Sequence, residues 1–273
     1  MLKRILPLLV LLLSPHAFAV EGTSEATTKS IMDDVTMGYF AIFHGPGVTT
    51  LESPYSPDAR NGKPSHSVNN AMNFDSEFTA SYMITPTVGV GPVIPFYLFP
   101  VMGQGFSIGD VGIRAFNRKF ITNHDLNVYA NIILQLPTNE YSKSAARDMT
   151  LGVKMTPNVR YTIPDSRFTV GAWTEQKAYL GVKSGKTFKL YAGPYVNYQV
   201  TSKFSWNLGY ELEADHFYGK PTLDLTMYQN DLMPGFVYFI TQKIMVNPYL
   251  QIFTKEKIAL DRTAVGAVLS ASI

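Results

Sequence analysis

Apolar and polar residues alternate with a period of two along most of this chain. In MNFDSEFTASYMI (72–84), most even-numbered residues are apolar and most odd-numbered residues are polar. The segments 126–136 and 204–215 alternate in the same way. Because successive side chains of a β-strand point to opposite faces, this alternation predicts long strands with one apolar face and one polar face.

The same pattern predicts about twelve strands in one domain, with no convincing helix. Short turns alternate with longer connections, of which 45–69 is the longest. Bacterial outer-membrane barrels combine such connections with strands of roughly 10 residues whose apolar face meets lipid. We therefore predict an all-β fold, a transmembrane antiparallel up-and-down β-barrel, over residues 35–273. The expected strands are 35–44, 70–84, 88–99, 107–117, 125–136, 149–162, 167–178, 187–200, 203–216, 228–241, 243–254 and 262–273.

The N-terminal residues predict export. Lys3 and Arg4 precede the apolar run ILPLLVLLL, and Ala17-Phe18-Ala19 is a small-x-small cleavage site, so residues 1–19 are expected to be a removed signal peptide. Residues 20–34 would then form a periplasmic segment before the barrel. Without the two basic residues of the signal, 21 basic residues remain against 21 acidic ones, which gives no indication of a nucleic-acid partner. The absence of Cys excludes thiol chemistry and zinc–thiolate sites.

A short motif recurs at the ends of alternate strands. YMITPTVGV (82–90), YQVTSKFSW (198–206) and YFITQKIMV (238–246) share it, and YTIPDSRFTV (161–170) repeats it with one extra residue. A Tyr on the apolar face can bury its ring in lipid and keep its hydroxyl among the headgroups. The motif thus predicts an aromatic belt at a membrane interface; the alternative is that Tyr merely favours strands and Ser, Thr and Asp favour turns. The expected members are Tyr82, Tyr161, Tyr198, Tyr238, Phe204 and Trp206.

Two further segments carry a resemblance to known proteins. The final alternating strand, AVGAVLSASI, resembles the last strand of bacterial outer-membrane proteins, which the barrel-assembly machinery recognises, although that family usually ends in Phe or Trp and this chain ends in Ile273. GDVGIRAF (109–116) and the Tyr hairpins are similar to small outer-membrane transporter-like proteins linked to phenol-degradation clusters. The resemblance implies an outer-membrane location, with membrane lipid and the assembly machinery as partners.

The polar face of such a barrel surrounds a lumen. Tight hairpins would place Lys154 opposite Glu175 and Lys189 opposite Asp215, and such pairs either reinforce the wall or guide a solute. The charged residues expected along the solute path are Asp110, Arg114, Lys154, Arg160, Glu175, Lys189, Glu211, Glu213 and Asp215.

Three of these residues form a carboxylate ladder. Glu211, Glu213 and Asp215 alternate on one strand, which places them roughly 6.6–6.8 Å apart on the same face. A ladder of acids in a pore favours cations. Alternatively, Arg114 or Arg160 reaches across the lumen and neutralises it.

Nothing in the sequence indicates catalysis, a cofactor or a metal site. There is no phosphate-binding loop, dinucleotide fingerprint or metal-ligand spacing. Outer-membrane phospholipases resemble this chain in size and strand number, but no spacing reproduces their His/Ser/Asn site, and Asp215-His216 is only faintly similar to the rim residues of omptin-like proteases. We therefore predict a non-enzymatic, narrow passive channel for a small hydrophilic or amphipathic solute. The alternatives are a filled barrel whose loops, above all 45–69, bind a surface or partner; a soluble exported barrel with its faces reversed; and an outer-membrane hydrolase.

Overall fold

The computed structural model describes residues 34–49, 72–99, 105–221, 224–254, 258, 260 and 263–272. The signal peptide 1–19, nearly all of the segment 20–34 and most of the loop 45–69 lie outside these residues. Cleavage after Ala19 and a binding role for that loop therefore stay predictions.

One antiparallel sheet contains all the strands in the described ranges. Gly109–Val111 separate β4 from β5, and Thr156 and Pro157 separate β7 from β8, so each of these pairs shares one position and the strands occupy twelve positions in all. The strands are β1 (Val35–Gly47), β2 (Asn73–Met83), β3 (Val88–Phe99), β4 (Gly105–Ile108), β5 (Gly112–Thr122), β6 (Leu126–Gln135), β7 (Leu151–Met155), β8 (Asn158–Thr162), β9 (Phe168–Leu180), β10 (Lys186–Gln199), β11 (Phe204–Phe217), β12 (Thr226–Phe239), β13 (Ile244–Phe253) and β14 (Thr263–Ser272).

The sheet closes on itself. β1 pairs with β2 on one side and with β14 on the other, and β10 pairs with both β9 and β11. In the pairing of β1 with β14, Ala41 lies opposite Leu269 and Gly38 opposite Ser272. The predicted all-β, closed antiparallel barrel of about twelve strands is confirmed. The short turns gather at one end of the barrel, here called the turn end, and the longer connections gather at the other, the loop end.

The predicted aromatic side chains share the outer face beside the turns. Phe204 lies opposite Tyr238, and Tyr198 lies opposite both Trp206 and Phe168. The four tyrosines of the motif are 38–46% exposed, and Trp206 is 56% exposed. Neighbouring rings touch, with 4.9 Å between the ring centroids of Phe168 and Tyr198. The aromatic residues therefore form an outward band at the turn end.

The recurring motif also has a local cause in the turns. In three of them a Thr three residues after the Tyr accepts hydrogen bonds from the backbone N–H groups two and three residues further on. The Oγ1 of Thr201 lies 3.2 Å from the backbone nitrogen of Lys203 and 3.0 Å from that of Phe204. Thr85 and Thr241 repeat the arrangement. Such side-chain caps compete with regular pairing and terminate the strands.

The longest described connection contains a helix that the sequence pattern did not predict. α1 (Glu140–Lys143) is a single turn, begun by Asn139, whose Oδ1 accepts a 2.8 Å hydrogen bond from the N–H of Tyr141. Four residues are too few for a helical period to be visible in the sequence. Within the described ranges, no helix is long and apolar enough to cross a bilayer.

Candidate functional site: the barrel lumen

One sector of the inner wall is packed. Val93 of β3 and Ile133 of β6 face inward and are each 1% exposed, and Phe116 of β5 is 5% exposed. Arg114 belongs to this sector: its Nη2 donates to Ser81 Oγ at 2.9 Å, and its guanidinium carbon lies 4.7 Å from the Phe116 ring centroid. The alternative in which Arg114 reaches the acid ladder does not occur in this structure, because the arginine is held in the packed sector on the β2–β6 side.

Lys154 crosses the interior beside the packed sector. Its Nζ lies 3.3 Å from Glu77 Oε2 and 3.6 Å from Glu175 Oε2. Glu77 is on β2 and Lys154 on β7, and β3, β5 and β6 lie between these strands in the sheet. The Lys154–Glu77 contact therefore spans the lumen instead of following the wall.

The register between β7 and β9 differs from the predicted one by two residues of β9. Lys154 lies opposite Lys177, while Glu175 is its diagonal neighbour. The cause is the turn between β8 and β9. There the N–H of Ile163 donates to the carbonyl of Phe168 at 3.0 Å, and this bonded pair encloses four residues, 164–167. A tighter two-residue turn would have given the predicted register.

Two lysines of β10 contact the acid ladder of β11. Lys189 lies opposite Asp215, as predicted. Its Nζ nevertheless contacts Glu213 Oε1 at 3.0 Å, while Lys186 forms an ion pair with Asp215 and lies 3.6 Å from Glu213. Both acids are 0% exposed. Two carboxylates of the predicted ladder are thus covered by lysines and do not face the passage directly.

Two charged residues of the lumen, Lys186 and Asp231, were not among the predicted ones. A register shift between Lys186 and Phe188 changes the face on which Lys186 lies, and alternation alone does not reveal such a shift. Asp231 of β12 lies opposite Glu211 and accepts a hydrogen bond from Gln251 Nε2. The sequence of β12 gives only a weak signal that Asp231 faces inward. Met233, Gly235 and Val237 share its face and are not polar, so the alternation of polar and apolar residues is poor in this strand.

Asp110 anchors the connection 136–150 instead of lining the passage. Its Oδ1 accepts hydrogen bonds from the backbone N–H groups of Thr138 and Asn139, both at 3.0 Å, and its Oδ2 accepts one from Ser142 Oγ at 2.6 Å. These bonds tie the start of α1 to the connection between β4 and β5.

Arg147 anchors the other side of the same connection. It is 4% exposed and donates to the carbonyls of Ser184 at 3.3 Å and Lys186 at 3.2 Å. Its guanidinium carbon also lies 4.6 Å from the ring centroid of Tyr179, which faces inward on β9. The connection 136–150, which joins β6 to β7, is therefore fixed at the loop end by contacts near the start of β5 on one side and of β10 on the other. Its Arg147 packs against the inward-facing ring of Tyr179.

The remaining candidate groups do not assemble a reactive centre. Arg160 lines a shallow pocket with Asn127 near the turn end and makes no ion pair with a described residue. Asp215 turns inward to Lys186, whereas His216 bonds to Thr187 Oγ1 and, at 2.8 Å, to the carbonyl of Pro221. Among the described residues, no cluster of three or more His, Asp or Glu side chains could hold a metal ion.

The fold of this chain is similar to that of a solved outer membrane channel. An outer membrane channel from Pseudomonas putida F1 aligns over 92% of this chain and 100% of its own, with 12% identity and a TM-score of 0.53. The two chains therefore share a fold, a closed antiparallel β-barrel. The KdgM porin in complex with disordered oligogalacturonate aligns over 87% of this chain and 99% of its own (10% identity, TM-score 0.45), and the NanC porin over 87% and 98% (8%, 0.46). No protein-family model and no curated protein sequence matches the chain.

Proposed function

We propose that this chain is a passive outer-membrane channel that admits a small hydrophilic or amphipathic solute and catalyses no reaction. The observation that carries the proposal is that charged side chains facing the interior remain partly accessible. Lys154 is 16%, Lys189 19% and Lys186 30% exposed, although all three lie inside the closed ring. Solvent therefore reaches the inner wall along β7 and β10. The fold shared with the Pseudomonas channel supports the same conclusion at the level of architecture.

The outer face supports insertion into a membrane. It presents the aromatic band at the turn end, and lipid cannot satisfy an open strand edge, which a closed ring avoids. On this proposal the signal peptide 1–19 directs export, the assembly machinery inserts the barrel, and membrane lipid surrounds it.

Membrane insertion predicts a large cost for a charge on the outer face. Leu208 lies outward on β11, opposite Val196 and Pro234, and is 43% exposed. Because Leu208 is the next outward residue after Trp206 of the aromatic band, Leu208→Arg should lower the free energy of unfolding from lipid by about 2 kcal/mol, between the cost at an interface and the cost at the midplane. Urea titrations of the barrel refolded in lipid vesicles measure the change.

Leu208→Ala is the control for that substitution. It removes apolar area without adding charge, so it should destabilise the barrel by less. Equal stability of the arginine variant and the wild type, or a mature chain that folds as a monomer in buffer without detergent, would contradict the membrane proposal and favour a soluble barrel.

Planar-bilayer recordings test the channel itself. The wild-type barrel, shown to be folded by its resistance to protease, should produce discrete current steps in potassium chloride. Folded protein that gives no current across a range of voltages would remove the channel proposal.

A filled barrel is the second candidate. The burial of Val93 and Ile133 inside the ring favours it, and so does the connection 136–150 held by Asp110 and Arg147. In this case the interior is structural and the loops bind a surface or partner. Absence of current, together with retained binding of the barrel to whole cells, would support this reading.

A further inference from the structure

Three lysines lie side by side at one level of the lumen. Lys177 of β9 is directly opposite Lys154 of β7 on one side and directly opposite Lys189 of β10 on the other. Like charges directly opposite each other destabilise a sheet. Such a row is therefore unfavourable unless negative groups offset it.

The two outer lysines of the row have such negative groups. Lys154 contacts Glu77 and Glu175, and Lys189 contacts Glu213 at 3.0 Å. Each of these carboxylates already serves a neighbour of Lys177. The described carboxylates inside the barrel thus form ion pairs with the two outer lysines of the row and not with the central one.

Lys177 differs from both neighbours. Among the residues that the structure describes, it forms no ion pair, and its Nζ lies 4.9 Å from the ring centroid of Tyr179. The side chain is half-buried and faces inward beside the accessible lysines. A charge in such a partly desolvated position interacts more strongly with an opposite charge than it would in bulk water.

We propose that Lys177 is the binding point for a carboxylate carried by the solute. This inference rests on the proposed channel and adds the class of its solute, a small organic anion. Two acids of the ladder, Glu213 and Asp215, do not oppose its approach, because both are 0% exposed and held by Lys186 and Lys189. A carboxylate at Lys177 would offset the positive charge at the centre of the row.

Lys177→Gln tests the site by two independent readouts. In bilayer recordings under a potassium chloride gradient, the reversal potential should shift toward that of a more cation-permeable pore. In detergent, sodium acetate added at constant ionic strength should raise the urea midpoint of the wild type, and this rise should be lost in the variant.

Two matched variants separate the site from general effects. Lys177→Arg keeps the charge and should retain both behaviours. Lys183→Gln removes a lysine that is 68% exposed in the connection between β9 and β10, where it pairs with Asp148 at 2.7 Å, and should leave both readouts unchanged.

The outcomes distinguish this inference from the channel proposal. Acetate protection that depends on Lys177, without current from the wild type, would keep the anion site and remove the channel. Current with the same reversal potential in wild type and Lys177→Gln, and without acetate protection, would overturn the site while the channel stands.

Discussion

Glu213→Gln should lower the free energy of unfolding by about 3 kcal/mol, because it removes one charge from a buried ion-pair cluster. Glu213 is 0% exposed and contacts Lys189 at 3.0 Å and Lys186 at 3.6 Å. Removing the carboxylate leaves two partly buried ammonium groups with only Asp215 as an acidic neighbour from the ladder. Urea titration of the refolded barrel measures the loss.

Asp148→Asn is the matched control for Glu213→Gln. Asp148 pairs with Lys183 in the connections at the loop end, where their side chains are 55% and 68% exposed. The hydrogen bond to Asp148 raises the pKa of the Lys183 ammonium, which keeps its charge at neutral pH. Solvent screens exposed pairs, and the free energy of unfolding should therefore change little. Equal losses in both variants would contradict the buried cluster.

Glu213→Gln should also change ion selectivity. If the carboxylate ladder faced the passage directly, losing Glu213 would weaken the preference for cations because the passage would lose one acid. The structure gives a different reason for the same direction: Lys186 and Lys189 lose part of their compensation and make the lumen more positive. An unchanged reversal potential in a folded variant would exclude this cluster from the ion path.

Lys154→Met should increase single-channel conductance, which is the second large effect. The methionine retains an apolar stem but lacks the ammonium that holds the side chain across the lumen to Glu77, 3.3 Å away. Without that contact the side chain can lie against the wall and widen the passage. Recordings in potassium chloride compare the size of the current steps.

Lys203→Met serves as the control for Lys154→Met. Lys203 lies in the exposed turn between β10 and β11, where its backbone N–H is bonded to Thr201. The conductance of this variant should match that of the wild type. If Lys154→Met is folded and its conductance is also unchanged, the Lys154–Glu77 contact does not limit the passage.

Much of the barrel was predictable because its signals are local. Alternation predicted where the strands run and which way Tyr198 and Trp206 face, since each strand obeys a period of two whatever its neighbours are. The Thr201 and Thr241 turns are equally local, because the hydroxyl bonds to N–H groups two and three residues away. Even the register that places Lys189 opposite Asp215 follows from one hairpin.

The contacts inside the barrel required the tertiary structure. Lys154 meets Glu77, 77 residues away in sequence, only because the sheet curves until β2 and β7 face each other. Lys186 reaches the acids through a register shift, and Asp110 lies under α1 instead of in the passage. The sequence by itself determined most of the strands, their two faces and the Thr-capped turns, which depend on neighbouring residues. The tertiary structure decided which charges neutralise one another, because those distances depend on closure, register and the four-residue turn before Phe168 acting together.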